Sequence, residues 1–558
     1  MSYVSGTSKV PLLGKTIGEM LDETTSLHAE NEALVVVHQN IRWTYKELQN
    51  QVNTCALGLY SMGLRKGDRI GIWALNCAEW MVLQYATAKL GAILVNINPS
   101  YRIHELEYVL KQSGCKFLVA DKATNYSDYS AMIYQLIPHL EYSIPGQLQC
   151  VKSENLTTII SLEDKAMKGM FNWKQVMAKA SESPIEILDE IAQTLSFDQA
   201  INIQYTSGTT GFPKGATLSH HNILNNGFFV TESLQLKAAD RMIIPVPLYH
   251  CFGMVMGNLG CLSHGATAIY ASRSFDPEMV IKTTDKEKAT ILYGVPTMFF
   301  AELEHPDIKQ YDVTSLRGGI MAGSICPVSL MKKVQEIMQM EDMQIAYGMT
   351  ETSPVSTQTN SNTPFDKRVS TVGQVHPHQE VKIINPETGL VVPRGEKGEL
   401  CTRGYSVMLG YWNDEEKTRQ AIDSARWMHT GDLATMDEEG YIDIVGRIKD
   451  MIIRGGENVY PKEIEAYIRN HPKVNNVQVI GVPDEKYGEA VMAWINVLEG
   501  IEITEKEIID FCTGTIAHYK IPKYIKFVNE CPKTVTGKIR KVEMREKSII
   551  ELGLEHLE

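Results

Sequence analysis

The eleven residues "YTSGTTGFPKG", Tyr205 to Gly215, crowd glycines, hydroxyl side chains and a lysine together. Glycines let backbone N–H groups approach phosphate oxygens, and the hydroxyls of Thr206, Ser207, Thr209 and Thr210 add donors. The string is not the usual phosphate loop, G-x-x-x-x-G-K-[ST]. Gly208 and Gly211 stand too close, and Lys214 sits between Pro213 and Gly215. A flexible Gly/Thr-rich turn without a ligand is the plainer alternative. Four later segments also gather groups that could do chemistry: "AYGMTE" (346–351), "HTGDLA" (429–434), "GRIKDMIIRGGENVYPKEIE" (446–465) and "PKTVTGKIRK" (532–541).

Such groups need elements to position them. Before the loop, "INIQY" alternates Ile201, Ile203 and Tyr205 as a half-buried strand should. After it, "ATLSHHNIL" reads as a short strand, with a helix beginning at about Ser219. "TYKELQNQV" has capping-box spacing between Thr44 and Glu47. The strand-like "DRIGIWA" and "KFLVAD" flank the helical "SYRIHELEYVL", and this alternation predicts α/β layering with buried sheets. Residues 123–195 read as less regular loops and excursions. Near "VGRIKDMIIRGGENVYP", Arg447, Lys449, Asp450 and Arg454 bracket a short apolar strand. Beyond it, Pro461 takes the favoured first helical position, with Ile464, Tyr467 and Ile468 on one face. "NVQVIGV" and "VMAWINV" read as strands, and Thr504 with Glu507 caps "TEKEIIDFC". That is an α+β module of about a hundred residues.

Composition narrows the class. The 558 residues suffice for more than one domain, and 44% hydrophobic with 22% charged residues is ordinary for a soluble globular chain. A net charge of −13 argues against nonspecific nucleic-acid binding. Ten cysteines without a C-x-x-C pair indicate neither a disulfide framework nor a zinc site and fit a reducing compartment. The start, "MSYVSGTSKVPLLGKTIGEML", has no apolar signal region and no arginine, and Pro11 interrupts any amphipathic helix. It reads as a mature start. Residues 242–272 carry no formal charge, but Pro245, Pro247 and four glycines break them into strand, loop and buried helix, not a membrane span.

In their order and spacing the five segments resemble the adenylate-forming (AMP-binding) superfamily, which includes acyl-CoA synthetases, luciferases and peptide-synthetase adenylation domains. The resemblance runs over nearly the whole chain. "RGYSVMLGYW", "AGSICP" and the end of the hinge segment most resemble medium-chain acyl-CoA synthetases. It implies an α/β N-terminal AMP-binding domain of residues 1–447 and a small α+β mobile lid of residues 448–558. It also implies a reaction: a fatty acid and ATP form acyl-AMP with release of pyrophosphate, and coenzyme A then displaces AMP.

The resemblance carries roles onto matching positions. Thr206, Ser207, Gly208, Thr209, Thr210, Gly211, Phe212, Pro213 and Lys214 would hold the ATP phosphates, although Lys214 could equally lie in solvent. Ala322, Gly323 and Ser324 would line the adenine and acyl pocket. Ala346, Tyr347, Gly348, Met349 and Thr350 form the adenine segment, in which Tyr347 can stack on the base. Glu351, with Thr209, would supply oxygens for Mg2+. Asp432 can accept from both ribose hydroxyls, and Arg447 can donate to them. Lys538 would bridge the substrate carboxylate and the α-phosphate, offsetting repulsion between two anions. Lys449 is the implied hinge, Gly455, Gly456 and Glu457 the implied contacts to coenzyme A, and His250 a gate.

Plainer readings stand beside these. Glu351 could be a solvated acid, Asp432 and Arg447 a salt-bridged turn, and His250 a satisfied core histidine. Lys538 could belong to a basic tail with Lys533, Arg540 and Lys541. Asn458 departs from several relatives, which carry arginine there, so nucleotide contacts through it are in doubt. Aromatic acids are the nearest alternative substrates. Amino-acid activation is disfavoured, because "PLYHCFGM" has no acid to receive an α-amino group. A non-catalytic acyl-adenylate sensor is disfavoured by Lys538, Glu351, Asp432 and Arg447 occurring together. Expected partners are small molecules, without nucleic acid or a transmembrane segment, and a homodimer stays open. The expected location is cytoplasmic, or the mitochondrial matrix if a transit peptide precedes this chain.

Overall fold

The computed structural model describes residues 1–557 except 125–126, 207–212, 324–325, 455–456, 486, 514, 517 and 534–537; for Glu457 and Asn458 it describes the backbone only. The chain forms two compact units. One is Val4–Val381 with Thr402–Met428; the other is Met1–Tyr3, Lys382–Cys401 and His429–Glu558.

The larger unit is built on two sheets. The first orders Gly410–Tyr411, Lys214–Ser219, Ala200–Thr206, Ile93–Asn96, Arg69–Trp73, Phe117–Ala120, Thr158–Ser161 and Phe171–Asn172. From Ala200–Thr206 to Phe171–Asn172 all neighbours are parallel. The second has nine strands, parallel from Glu32–Val36 through to Asp342–Gly348. Parallel neighbours need crossovers, and helices such as Ala78–Leu90 and Ile103–Ser113 supply them. Strands Ile93–Asn96, Phe117–Ala120 and Ile291–Gly294 are buried at every position, as sheets covered on both faces require.

Local signals place several elements. Thr44 and Glu47 exchange hydrogen bonds at the start of Tyr45–Ser61. Ser219 accepts from the Asn222 N–H and starts His220–Ser233, directly after the short strand Lys214–Ser219. The uncharged run contains the strand Thr267–Tyr270 and the helix Gly260–His264, but Phe252–Leu259 is wound with π spacing. Among the described residues, no helix is long and apolar enough to cross a membrane.

Two expectations change. Ala200–Thr206 is buried on both faces, because its polar side meets polar partners. Asn202 Nδ2 donates to Leu94 O and to Asn96 Oδ1, both at 2.9 Å, and Gln204 Nε2 donates to Asn202 Oδ1 at 2.9 Å. Residues 123–195 are more regular than expected. They add Thr158–Ser161 and Phe171–Asn172 to the first sheet and form helices such as Tyr129–Leu136 and Glu186–Ala192.

Two five-stranded sheets complete the fold. One orders Tyr3–Ser5, Gln379–Ile384, Gly398–Gly404, Met428–Met436 and Ile442–Arg447. The other, in the smaller unit, pairs Val474–Asp484 with Gly488–Val497 in a long antiparallel ladder and adds Ile452–Arg454, Glu457–Val459 and Tyr524–Phe527. The helix Pro461–Ile468 starts on its proline and buries Ile464 and Ile468, while the Thr504 hydroxyl caps Glu505–Cys512 through the Glu507 N–H.

Candidate functional site

In the larger unit the antiparallel strands Ala200–Thr206 and Lys214–Ser219 bring Thr206 opposite Lys214, so the ends of the glycine-rich loop stand side by side. Ser207, Gly208, Thr209, Thr210, Gly211 and Phe212 lie outside the described residues. The Pro213 carbonyl accepts from the Tyr108 hydroxyl at 3.1 Å. Lys214 Nζ lies 4.9 Å from the centre of the Tyr411 ring, within cation–π range.

Glu351 occupies a single turn, Thr350–Thr352, just beyond the strand Asp342–Gly348. It is 6% exposed, which sets aside the solvated-acid reading. The Tyr411 hydroxyl donates to Oε1 at 2.8 Å, and Thr206 Oγ1 stands 3.5 Å from the same oxygen, at the outer limit of a hydrogen bond. Among the described residues no lysine, arginine or histidine pairs with this carboxylate. A buried carboxylate without a counter-cation suits a hard divalent ion such as Mg2+, which takes oxygen ligands. Burial pushes the Tyr411 phenol up, and the Glu351 charge adds to that, so the hydroxyl stays protonated and able to donate.

Tyr411 was missed by motif reasoning. It lies inside "RGYSVMLGYW", but its role arises from position: the two-residue strand Gly410–Tyr411 pairs with Ala216 and Thr217 and so reaches the loop's exit strand.

Ala322 and Ala346 sit at matching register near the C-terminal ends of parallel neighbours, where open α/β sheets bind ligands. The next residue, Gly323, has φ +90°, a region that favours glycine. Ser324 lies outside the described residues. Tyr347 is half-buried, and Met349 N–H donates to Pro354 O at 2.9 Å. At Gly348 a Cβ would fall 1.8 Å from Pro354 O, so only glycine fits this close approach. His250 is half-buried, not a closed core group. Its Nδ1 accepts from the Phe252 N–H at 3.3 Å, and its carbonyl accepts from Gly253 and Met254 at 3.0 and 3.1 Å, tying it to the start of the π-wound segment.

In the smaller unit, strand pairing sets Asp432 opposite Arg447, and Arg447 Nε meets Asp432 Oδ1 at 3.1 Å. The acid is mostly covered and the arginine half exposed, at 13% and 51%. Lys449 is exposed in the short 3-10 turn Ile448–Asp450. Lys538 is exposed beside a bridge between Lys533 and Ile539. Gly455 and Gly456 lie outside the described residues, and Glu457 opens a strand whose backbone pairs with Arg454. In the same unit the Lys462 ammonium donates to Ile444 O at 2.8 Å; burial pushes its pKa down, against the charges of Asp443, Glu465 and Asp432.

Known proteins match this arrangement over most of its length. The chain is 48% identical to the Bacillus subtilis (strain 168) protein YngI, over 96% of this chain and 98% of that one. It is 45% identical to the human protein named medium-chain acyl-CoA ligase ACSF2, mitochondrial, over 99% of this chain and 91% of the relative. Among solved structures, the anthranilate CoA ligase AuaEII in complex with anthranoyl-AMP superposes with TM-score 0.83 at 27% identity, covering 98% of this chain and 99% of that one. ATP-bound MatB from Rhodopseudomonas palustris gives TM-score 0.80 at 28% identity, covering 96% and 99%. Residues 21–412 match the AMP-binding enzyme family and residues 463–538 its C-terminal domain, and the chain belongs to that family.

Proposed function

We propose that this chain is an AMP-forming acid–thiol ligase that activates medium-chain fatty acids and passes them to coenzyme A. The observation that carries the reading is Glu351: a buried carboxylate, held by Tyr411 beside Thr206, with no cation facing it among the described residues. Glu351 and Thr209 would hold Mg2+, which when bound neutralises phosphate charge. The loop from Thr206 to Lys214 binds the β- and γ-phosphates, so pyrophosphate leaves as the carboxylate attacks the α-phosphate. Tyr347 stacks on adenine between Gly348 and the Ala322–Gly323 edge. Asp432 and Arg447 exchange their mutual contact for the ribose hydroxyls. Lys538 neutralises the approach of carboxylate to phosphate.

In the second step residues 448–558 turn about Lys449, Lys538 withdraws, and Gly455, Gly456 and Glu457 meet coenzyme A. His250 gates the acyl channel. The medium-chain assignment draws on the name of the human relative and on residues 242–272, which offer no charge to pair with a polar substrate tail. Mitochondrial relatives and a bacterial one are both similar, so matrix and cytoplasm are both consistent locations.

A screen of pyrophosphate release and thioester formation over straight-chain, branched, aromatic, amino and dicarboxylic acids tests the reading. Medium straight chains should be used best, with absolute dependence on ATP, Mg2+ and coenzyme A. The likeness to an anthranilate CoA ligase makes aromatic acids the arm to watch. A preference for amino acids or dicarboxylates would overturn the proposal.

A further inference from the structure

Away from the residues assigned above, three ligating side chains converge on one point. Glu399 and Cys401 lie two apart on the strand Gly398–Gly404 and so face the same side, while His429 comes from the adjacent strand Met428–Met436. The His429 Nδ1 is 3.0 Å from Glu399 Oε2 and 3.6 Å from Cys401 Sγ, and one ligating atom from each residue lies within 4.8 Å of the other two. Cys401 is fully buried, and the Glu399 and His429 side chains are 11% and 30% exposed.

Two features separate this cluster from a nucleophile relay. Thiol and carboxylate both meet the same ring nitrogen, whereas a relay engages opposite nitrogens of the imidazole. The second oxygen of Glu399 is already oriented, accepting from the Gly431 N–H at 3.1 Å, as the outer partners of metal ligands commonly are. Around a tetrahedral Zn2+, with bonds of about 2.0–2.3 Å, ligand atoms stand roughly 3.3–3.7 Å apart. The His429–Cys401 separation already lies in that range and the His429–Glu399 one is a few tenths of an ångström short of it, with the third pair within 4.8 Å. Cysteine spacing along the chain gave no hint of it, because the site has one thiol and is assembled by strand pairing.

We propose that Glu399, Cys401 and His429 bind one soft divalent cation of the Zn2+ class, with a fourth position left to water. Coordination requires thiolate and neutral imidazole, so protons leave as the cation enters. The cation would fasten the start of the strand Met428–Met436, just before Asp432, to the strand Gly398–Gly404. That segment is already joined there by Thr430 Oγ1, which donates to Leu400 O at 2.7 Å and accepts from the Asp432 N–H at 3.1 Å. The site is therefore distinct from Glu351 and selects a softer ion.

The test titrates the full, chelator-treated chain with Co2+ in the absence of nucleotide. One equivalent should bind with a thiolate-to-cobalt charge-transfer band, displaced by Zn2+ and untouched by excess Mg2+. Cys401→Ser should remove the band, and His429→Gln and Glu399→Gln should each weaken Co2+ binding at least tenfold. Cys531→Ser should keep the band; Cys531 is the half-buried cysteine, the other nine being buried. Melting curves of the metal-free variants show that they fold; should Cys401→Ser not fold, the His429→Gln and Cys531→Ser arms decide. Absence of the band in the unmodified chain, its survival in His429→Gln at unchanged affinity, or its loss in Cys531→Ser would overturn the proposal. The three groups would then merely share the His429 proton.

Discussion

The Tyr411 hydroxyl is the single polar contact under 3 Å that the Glu351 carboxylate makes among the described residues. A hydrogen bond to a charged group contributes about 1.5–3 kcal/mol, so Tyr411→Phe should slow adenylation roughly 10- to 100-fold and raise the Mg2+ concentration needed. Glu351→Gln should shift the Mg2+ curve further, because an amide lacks the anionic oxygen a hard ion prefers. Pyrophosphate release titrated with Mg2+ measures both, and superimposable curves would show that neither residue serves the ion. A second residue tests stability. Glu302 is 1% exposed and neither carboxyl oxygen has a hydrogen-bond partner among the described residues, so burial pushes its pKa well above 4.5 and keeps it neutral in the fold. The unfolded chain loses that proton near the ordinary value, so this residue weakens the fold increasingly as pH rises from there. Glu302→Met should therefore stabilise the protein by about 1–3 kcal/mol near neutrality, the scale of one unsatisfied buried group. Thermal unfolding at pH 5 and pH 8 should show the gain growing with pH; a pH-independent gain would contradict the account.

Elements whose signals are local were legible in the sequence. The capping box at Thr44, the helix start at about Ser219 and the initial Pro461 depend on neighbours a few residues away, and the structure places helices at each. Elements whose character comes from distant partners were not. The alternation of Ile201, Ile203 and Tyr205 suggested one wet face, yet Asn202 and Gln204 face Asn96, Cys251 and Met254 in the interior. The lack of charge over 242–272 announced burial, but nothing in it specifies π winding over Phe252–Leu259. Motifs located Glu351 and the Asp432–Arg447 pair, while Tyr411 and the Glu399–Cys401–His429 cluster emerge only from strand pairing. The polar interior is testable at this scale. Asn202→Val improves strand propensity and apolarity but strips partners from Leu94 O, Asn96 and Gln204. It should lower stability by about 2–4 kcal/mol, since groups left buried and unpaired outweigh propensity. Unfolding by urea measures this, and a stabilised variant would mean that the network contributes nothing.

At the scale of the whole molecule, the proposed reaction runs in two steps, adenylation and then transfer to coenzyme A. The account requires that Lys538 serve adenylation alone, because the lid turns before coenzyme A attacks. The direct measurement separates the half-reactions in Lys538→Ala. Pyrophosphate release from ATP and a medium-chain fatty acid should fall by roughly two to three orders of magnitude, the usual scale for losing one preorganised electrostatic contact. Thioester formation from supplied acyl-adenylate and coenzyme A should stay near the unmodified rate. Equal losses in both half-reactions, or no loss in either, would contradict it.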